Sequence, residues 1–258
     1  MSDDLLIVIG GLQLFGRPGV GPLTVVKDGL DGWDDRVPLR GEQKAHPQGP
    51  GSYVLPRYPE SRSVNITGKV LAQSIPERER EGLQLTGLGA DGSLQRIEVT
   101  KGGLTQWADA HVDDVDVDPI HGTTNSDYQL TLWCPDPLKY GNTEQYVTTQ
   151  AAEIGGIINR GNYPATPSLR VQGTSALGYT VYVMGQPFQV TQPLWFASPH
   201  EIDYADGRLR INGVVIHHGL GLTYTPTIPP NTESLLSVTP ASAGGTATVT
   251  LTLTDTYI

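Results

Sequence analysis

The stretch Tyr128-Gln-Leu-Thr-Leu-Trp-Cys134, together with the prolines just beyond it, decides how the whole chain is read. Tyr128, Leu130, Leu132 and Cys134 fall on one face and Gln129, Thr131 and Trp133 on the other, the alternation of a half-buried strand. Pro135-Asp136-Pro137-Leu-Lys-Tyr140-Gly141 then ends that strand, because two prolines cannot donate to a ladder. A short polar stretch leads to Asn159-Arg-Gly161-Asn-Tyr-Pro-Ala-Thr-Pro167 and a strand closing on Gly173. Gly161 and Asn162 allow a positive φ, and Pro164 and Pro167 impose extended backbone before a strand over 168–171. A strand that stops, crosses and restarts predicts a seam between two β-domains. The expected layout is 1–140, a linker over 141–160, and 161–258, with the final strand free to return to the first domain.

Composition agrees with a mainly β protein. The 258 residues include 31 glycines and 20 prolines, yet 38% are apolar, so many short strands joined by tight turns fit better than disorder. The single cysteine, Cys134, excludes an internal disulfide and falls on the apolar strand face as a small core residue. No run approaches the eighteen apolar residues of a membrane span, and the acidic start Met1-Ser-Asp-Asp lacks the positive charge of a signal peptide. A soluble protein made in a cytoplasm is expected, with no membrane contact, and Asn65-Ile-Thr67 as a glycosylation acceptor is chance.

Charge narrows the partners. The net charge is −10, and it is uneven: residues 1–140 hold 20 acids against 13 bases, residues 141–258 only 7 against 4. Such a chain repels phosphate, which argues against nucleic acid as a bound ligand though not as passing traffic.

Taken in order, residues 5–14 read as a first strand and 24–27 as a second. Residues 28–35 read as a loop, alternating Asp and Gly without the spacing of a calcium loop. Residues 41–59 form a long Pro/Gly-rich loop of the kind that is functional or ordered by a partner. After a strand over 63–71, Ser74-Ile-Pro-Glu77 is a capping box opening the one helix, with Leu83, Leu85 and Leu88 for packing. Gly87-Leu-Gly-Ala-Asp-Gly92 matches a dinucleotide fingerprint in letters, but a helix precedes it and a strand follows, so it is a helix stop and turn. Val112-Asp-Asp-Val-Asp-Val-Asp118 places Val115 and Val117 on one strand face and Asp114, Asp116 and Asp118 on the other. Three carboxylates in a row cannot wrap an ion, so no metal is expected there.

Beyond the seam, hairpins are expected at 179–184/188–191 and 201–204/208–211. A connector comes next over 224–231, and then a two-sided strand over 246–254. No nucleophile elbow, zinc motif, phosphate loop or C-x-x-C occurs, and adjacent His217 and His218 point to opposite faces. No catalytic residue, cofactor or metal is expected. Only a carboxylate pair meeting in space would make this an enzyme.

The seam also resembles a family. Pro135 to Gly141, then Asn159 to Pro167 and a strand closing on Gly173, are similar to the distal tail (Dit) proteins of long-tailed bacteriophages. Asp203-Tyr-Ala-Asp-Gly-Arg-Leu-Arg-Ile-Asn-Gly213 resembles that family's second-domain hairpin. The resemblance implies an N-terminal split β-barrel domain with one helix that forms a hexameric ring, and a C-terminal galectin-like β-sandwich outside it. It implies a structural virion protein, assembled in the host cytoplasm, joining the tail tube to the tail tip or baseplate. Its partners would be the tail tube protein, the tip hub and tape measure proteins and possible receptor-binding proteins, with DNA only in transit. Asp114, Asp116 and Asp118 are the candidate channel-facing residues, and Pro135, Asp136, Pro137, Tyr140, Asn159, Gly161 and Pro167 are the family-like seam residues. The rival reading is a carbohydrate-binding β-sandwich module for host attachment, stacking sugars on Trp107 or Trp195.

Overall fold

The structure, a computed structural model, describes residues 4–258; the acidic start at Met1 to Asp3 lies outside them. The chain falls into two compact units, Met1–Lys139 with Ile258, and Tyr140–Tyr257.

In the first unit the strands are β1 (Leu6–Ile9), β2 (Leu12–Phe15), β3 (Leu23–Asp31), β4 (Leu39–Arg40), β5 (Tyr58–Pro59), β6 (Arg62–Leu71), β7 (Gln95–Lys101), β8 (Leu104–Pro119) and β9 (Asn125–Cys134). Seven of them pair in the order β8-β7-β1-β2-β3-β6-β9, and β8 pairs with β9 to close a barrel. Closure leaves no open edge in that ring. Tyr128, Leu130, Leu132 and Cys134 point into its core beside Ile7, Ile9, Val64, Ile66 and Ile97, as the alternation predicts. Gly68 faces Tyr128 across the β6–β9 pair, and the tyrosine hydroxyl donates to the Thr24 carbonyl at 3.1 Å. A Cβ at Gly68 would sit 2.3 Å from the Tyr128 ring and 2.1 Å from that carbonyl oxygen, so only glycine fits.

Two expectations change. Residues 5–14 are not one strand but a hairpin, β1 against β2, turning at Gly10 and Gly11 with φ of 55° and 87°. Strand β3 runs on to Asp31 through an irregularity at Asp28 (φ 59°), so only 32–35 of the Asp/Gly stretch is loop.

The helix α1 (Ile75–Thr86) begins at the expected cap: Ser74 accepts from the Glu77 amide, while the Glu77 carboxylate reaches back to the Gln73 amide, one residue before the Ser74 amide that a full capping box uses. Leu85 and Leu88 are buried, and a Cβ on Gly82 would lie 3.5 Å from Val117, which places the helix over the valine face of β8. Leu83 is 73% exposed and takes no part in that packing.

The second unit is two sheets. One has the order β17-β16-β15-β12-β20-β10, from β17 (Val214–Ile216), β16 (Arg208–Ile211), β15 (His200–Asp203), β12 (Ser168–Thr174), β20 (Thr246–Tyr257) and β10 (Lys139–Thr149). The other is β11-β19-β13-β14-β18, from β11 (Ile154–Ile158), β19 (Glu233–Pro240), β13 (Tyr179–Val183), β14 (Gln186–Val190) and β18 (Leu220–Thr223). Their inner faces share one core that includes Val171, Tyr179, Phe188, Leu236, Val249 and Leu251. Residues 141–160, expected as a linker, hold most of β10 and all of β11.

Candidate functional site

Strand β8 carries the acidic row. Val115 and Val117 pack on the barrel core, and Asp114, Asp116 and Asp118 are exposed on the opposite face. The register jumps between Val112 and Asp114, so Asp113 is an extra, bulged residue that also lies in solvent. Across the β8–β9 pair the three acids meet Thr131, Gln129 and Asp127 in turn. Asp127 is tied to Lys69 at 2.7 Å. Asp113, Asp114, Asp116 and Asp118 make no ion pair or hydrogen bond among the described residues, and no cluster there could hold a metal ion. Their charge is therefore unbalanced locally.

The stretch 41–59, expected as a loop, is a hairpin arm. Its stem is β4 against β5, and above it the Tyr53 amide donates to the Lys44 carbonyl at 2.9 Å and the His46 amide to the Gly51 carbonyl at 3.1 Å. The His46 and Tyr53 rings meet at 4.4 Å. Every residue from 38 to 58 is exposed, including Leu39, Tyr53, Val54, Leu55 and Tyr58, with Val54 at 100%. The arm makes backbone hydrogen bonds within itself yet buries none of its apolar side chains.

The seam residues do two different jobs. Pro135 and Asp136 are exposed, and Asp136 accepts from the Leu138 amide at 3.0 Å, an Asx turn that ends β9. The Pro137 carbonyl accepts from Arg62 Nε at 3.1 Å. Arg62, 2% exposed, also donates through Nη1 to the carbonyls of Gly32, Trp33 and Asp35. Lys139 joins it, its amine 2.8 Å from the Trp33 carbonyl and 5.3 Å from that ring. Burial first, and then Arg62, push the Lys139 amine down to about 8. Nothing in the sequence flags this pair of buried cations, which pins the 32–35 loop.

Asn159 is a buried hub in the second unit. Its Nδ2 donates to the carbonyls of Tyr163 at 2.7 Å and Ile228 at 3.2 Å, and its Oδ1 accepts from the amides of Gly161 at 2.9 Å and Thr256 at 3.2 Å. Neither Gly161 nor Asn162 uses the positive φ that is open to it. The glycine serves close approach instead, since a Cβ there would sit 1.8 Å from the Thr256 carbonyl oxygen. Pro167 is buried and its carbonyl accepts from the Tyr204 amide at 3.3 Å; Tyr140 is half-buried.

The two candidate sugar platforms separate. Trp107 is half-buried beneath the Arg96 guanidinium, 3.8 Å from the ring centre. Trp195 is 54% exposed.

No protein-family model matches the chain, and no curated protein is similar to it. Its architecture is similar to the crystal structure of the Dit (gp 19.1) protein of phage SPP1, described as a paradigm of the hub adsorption apparatus in phages infecting Gram-positive hosts. The TM-score is 0.74 at 15% identity, over 98% of this chain and 99% of that one. The chain has the Dit fold. A chain of the phage P2 baseplate in its Ca-activated conformation also aligns over 96% of this chain, at 8% identity and a TM-score of 0.45 that carries no further argument. The alignment with the Dit protein covers nearly all of both chains, so it is not confined to one unit.

Proposed function

We propose that the protein is a structural subunit of a phage tail hub, without catalytic activity. In this reading six copies form a ring that joins the tail tube to the tail tip or baseplate of the virion. The tail tube, tip hub and tape measure proteins bind its two sides, and receptor-binding proteins attach at the periphery. The observation that carries it is the likeness to the SPP1 Dit protein over essentially all of both chains.

Two local features support the ring. The arm over 39–59 leaves Tyr53, Val54, Leu55 and Tyr58 in water, and apolar area left exposed forgoes about 25 cal/mol per Å² that a neighbour can recover. A cyclic assembly uses heterologous contacts, one patch of a subunit meeting a different patch of the next, which an outstretched arm provides. The unpaired acids of β8 suit a channel wall, because like charge keeps DNA from adhering as it passes.

Native mass spectrometry of the full chain at about 0.15 M salt tests the reading. The expected species is a ring of about six 27.7-kDa chains. A monomer that stays monomeric with the tail tube and hub proteins added overturns it.

A further inference from the structure

The outer face of the β12–β15–β16 sheet in the second unit holds a groove of about 350 Å³. It is lined by Ser168, Arg170, Glu201, Asp203, Arg210 and Thr252. Its geometry follows from strand alternation: Leu169, Ile202 and Leu209 are buried on the inner face, so their neighbours stand outward in cross-strand rows. Arg170 lies opposite Glu201, and Glu201 opposite Arg210; Ser168 lies opposite Asp203 on one side and Thr252 on the other. Arg210 is held by Asp206 in an ion pair. Arg170 and Glu201, although opposite each other, make no ion pair or hydrogen bond among the described residues.

An exposed aromatic pair lies in the chain just before β15. Trp195 and Phe196 are 54% and 71% exposed, in a turn closed by the Ser198 amide on the Trp195 carbonyl at 2.9 Å just before β15. Gln172, two residues beyond Arg170 and hence on the same face, donates to the Phe196 carbonyl at 3.4 Å. That bond holds the turn over the outer face about 7 Å along β12 from Arg170.

We infer that this groove is a binding site for a neutral oligosaccharide. The charges on the face and its β15–β16 turn are Arg170, Arg208 and Arg210 against Glu201, Asp203 and Asp206, which cancel. A face without net charge offers no purchase to a polyanion, in contrast to the acidic first unit, whereas its intermingled donors and acceptors match hydroxyl groups that both give and take hydrogen bonds. The exposed tryptophan supplies a flat apolar surface for the C–H face of a sugar ring, with the Arg170 and Glu201 side chains set to fix its hydroxyls. The volume suits one or two sugar units.

The site does not rest on the ring, because every residue of it lies in one copy of the second unit. Calorimetric titration of the full-length protein with lactose, maltotriose and the trimer of N-acetylglucosamine, with native mass recorded on the same samples, tests it. At least one probe is expected to bind with Kd of about 1 mM or tighter and to perturb the Trp195 fluorescence. Trp195→Ala, Glu201→Gln and Arg170→Gln, all at exposed positions and expected to keep the native melting temperature, should each weaken binding about tenfold or more. A trimer of galacturonate should bind no better than the neutral probes. Absence of binding by all three neutral sugars at about 10 mM overturns the proposal, as does binding that survives both Trp195→Ala and Glu201→Gln. Failure to form a ring leaves these outcomes unaffected and counts only against the tail assignment.

Discussion

Residues 41–59 and 141–167 look alike as sequence, both rich in Pro, Gly and polar side chains, yet they end in opposite environments. The first is an arm whose backbone bonds are its own and whose side chains nearly all lie in water. The second is pulled into the second unit by one buried asparagine and a glycine that nothing larger can replace. Composition could not separate them, because it reports how readily backbone turns and not where its polar groups find partners. What separates them is the presence of a side chain able to satisfy four backbone groups away from water.

The contrast breaks most sharply at Asn159. Asn159→Ala strips partners from the Gly161 and Thr256 amides and the Tyr163 and Ile228 carbonyls, and should lower stability by roughly 3–5 kcal/mol. Gly161→Ala drives a Cβ against the Thr256 carbonyl and should cost a comparable amount. Urea midpoints measure both, and a loss below about 1 kcal/mol for either means the knot is not what orders this stretch.

Lys139 extends the comparison to a second buried polar contact, in the first unit. Its amine in the folded chain titrates at about 8 against an ordinary 10.5, so between those values the unfolded chain holds a proton that the folded chain has released. Stability from this group is thus fully present above pH 10.5 and is lost as pH falls through about 8. Burial pushes the Cys134 thiol up to about 11, which works the other way over its own range, so the test is a difference between variants. Lys139→Met should remove an upward slope worth roughly 2–3 kcal/mol across that window. Identical pH profiles for the two proteins would show the amine to be solvated.

The arm should behave oppositely. Replacing 41–57 by an Asn-Gly turn removes only solvent-facing side chains and shortens a loop, so the barrel should keep its stability to within about 1 kcal/mol. Its assembly should fail. A truncated chain that still forms the ring would assign the arm to some other contact, and one that unfolds would show that the arm supports the barrel after all.

These contrasts mark how far the sequence could be read. Alternation gave the faces of β8, β9 and β20 correctly, because one buried face leaves a period-2 trace at each position. The capping box gave the helix start, and Ala205-Asp-Gly207 gave the β15–β16 hairpin. Gly10-Gly11 held the signal of a turn that the apolar run around it hid. Arg62, Lys139 and Asn159 were illegible as core residues: the partners of Arg62 and Lys139, and two of the four of Asn159, are backbone groups tens of positions away, and a backbone group leaves no mark in sequence. Of the candidate site, the acidic row was visible as a pattern. The arm's ladder was not, and neither was the groove, which needs three strands in register before Arg170, Glu201 and Arg210 become neighbours.

The smallest expected effect belongs to the acidic row, and it tests whether exposure alone, as on the arm, is enough to make a residue matter. In one chain Asp114, Asp116 and Asp118 are solvated and unpaired, so changing all three to Asn should move stability by well under about 1 kcal/mol. In a ring each position is repeated about an axis, and like charges facing one another across it raise the cost of assembly. Salt at about 0.15 M limits their reach to roughly 8 Å, so the repulsion should be felt mainly at low ionic strength. The triple variant should therefore assemble like the parent protein in salt and more readily than it when salt is removed. In assembled tails it should slow DNA passage, because the wall no longer repels phosphate. If the salt dependence of assembly is unchanged, the three carboxylates do not face one another across an axis and the channel assignment fails. The ring itself, judged by mass, would stand or fall separately.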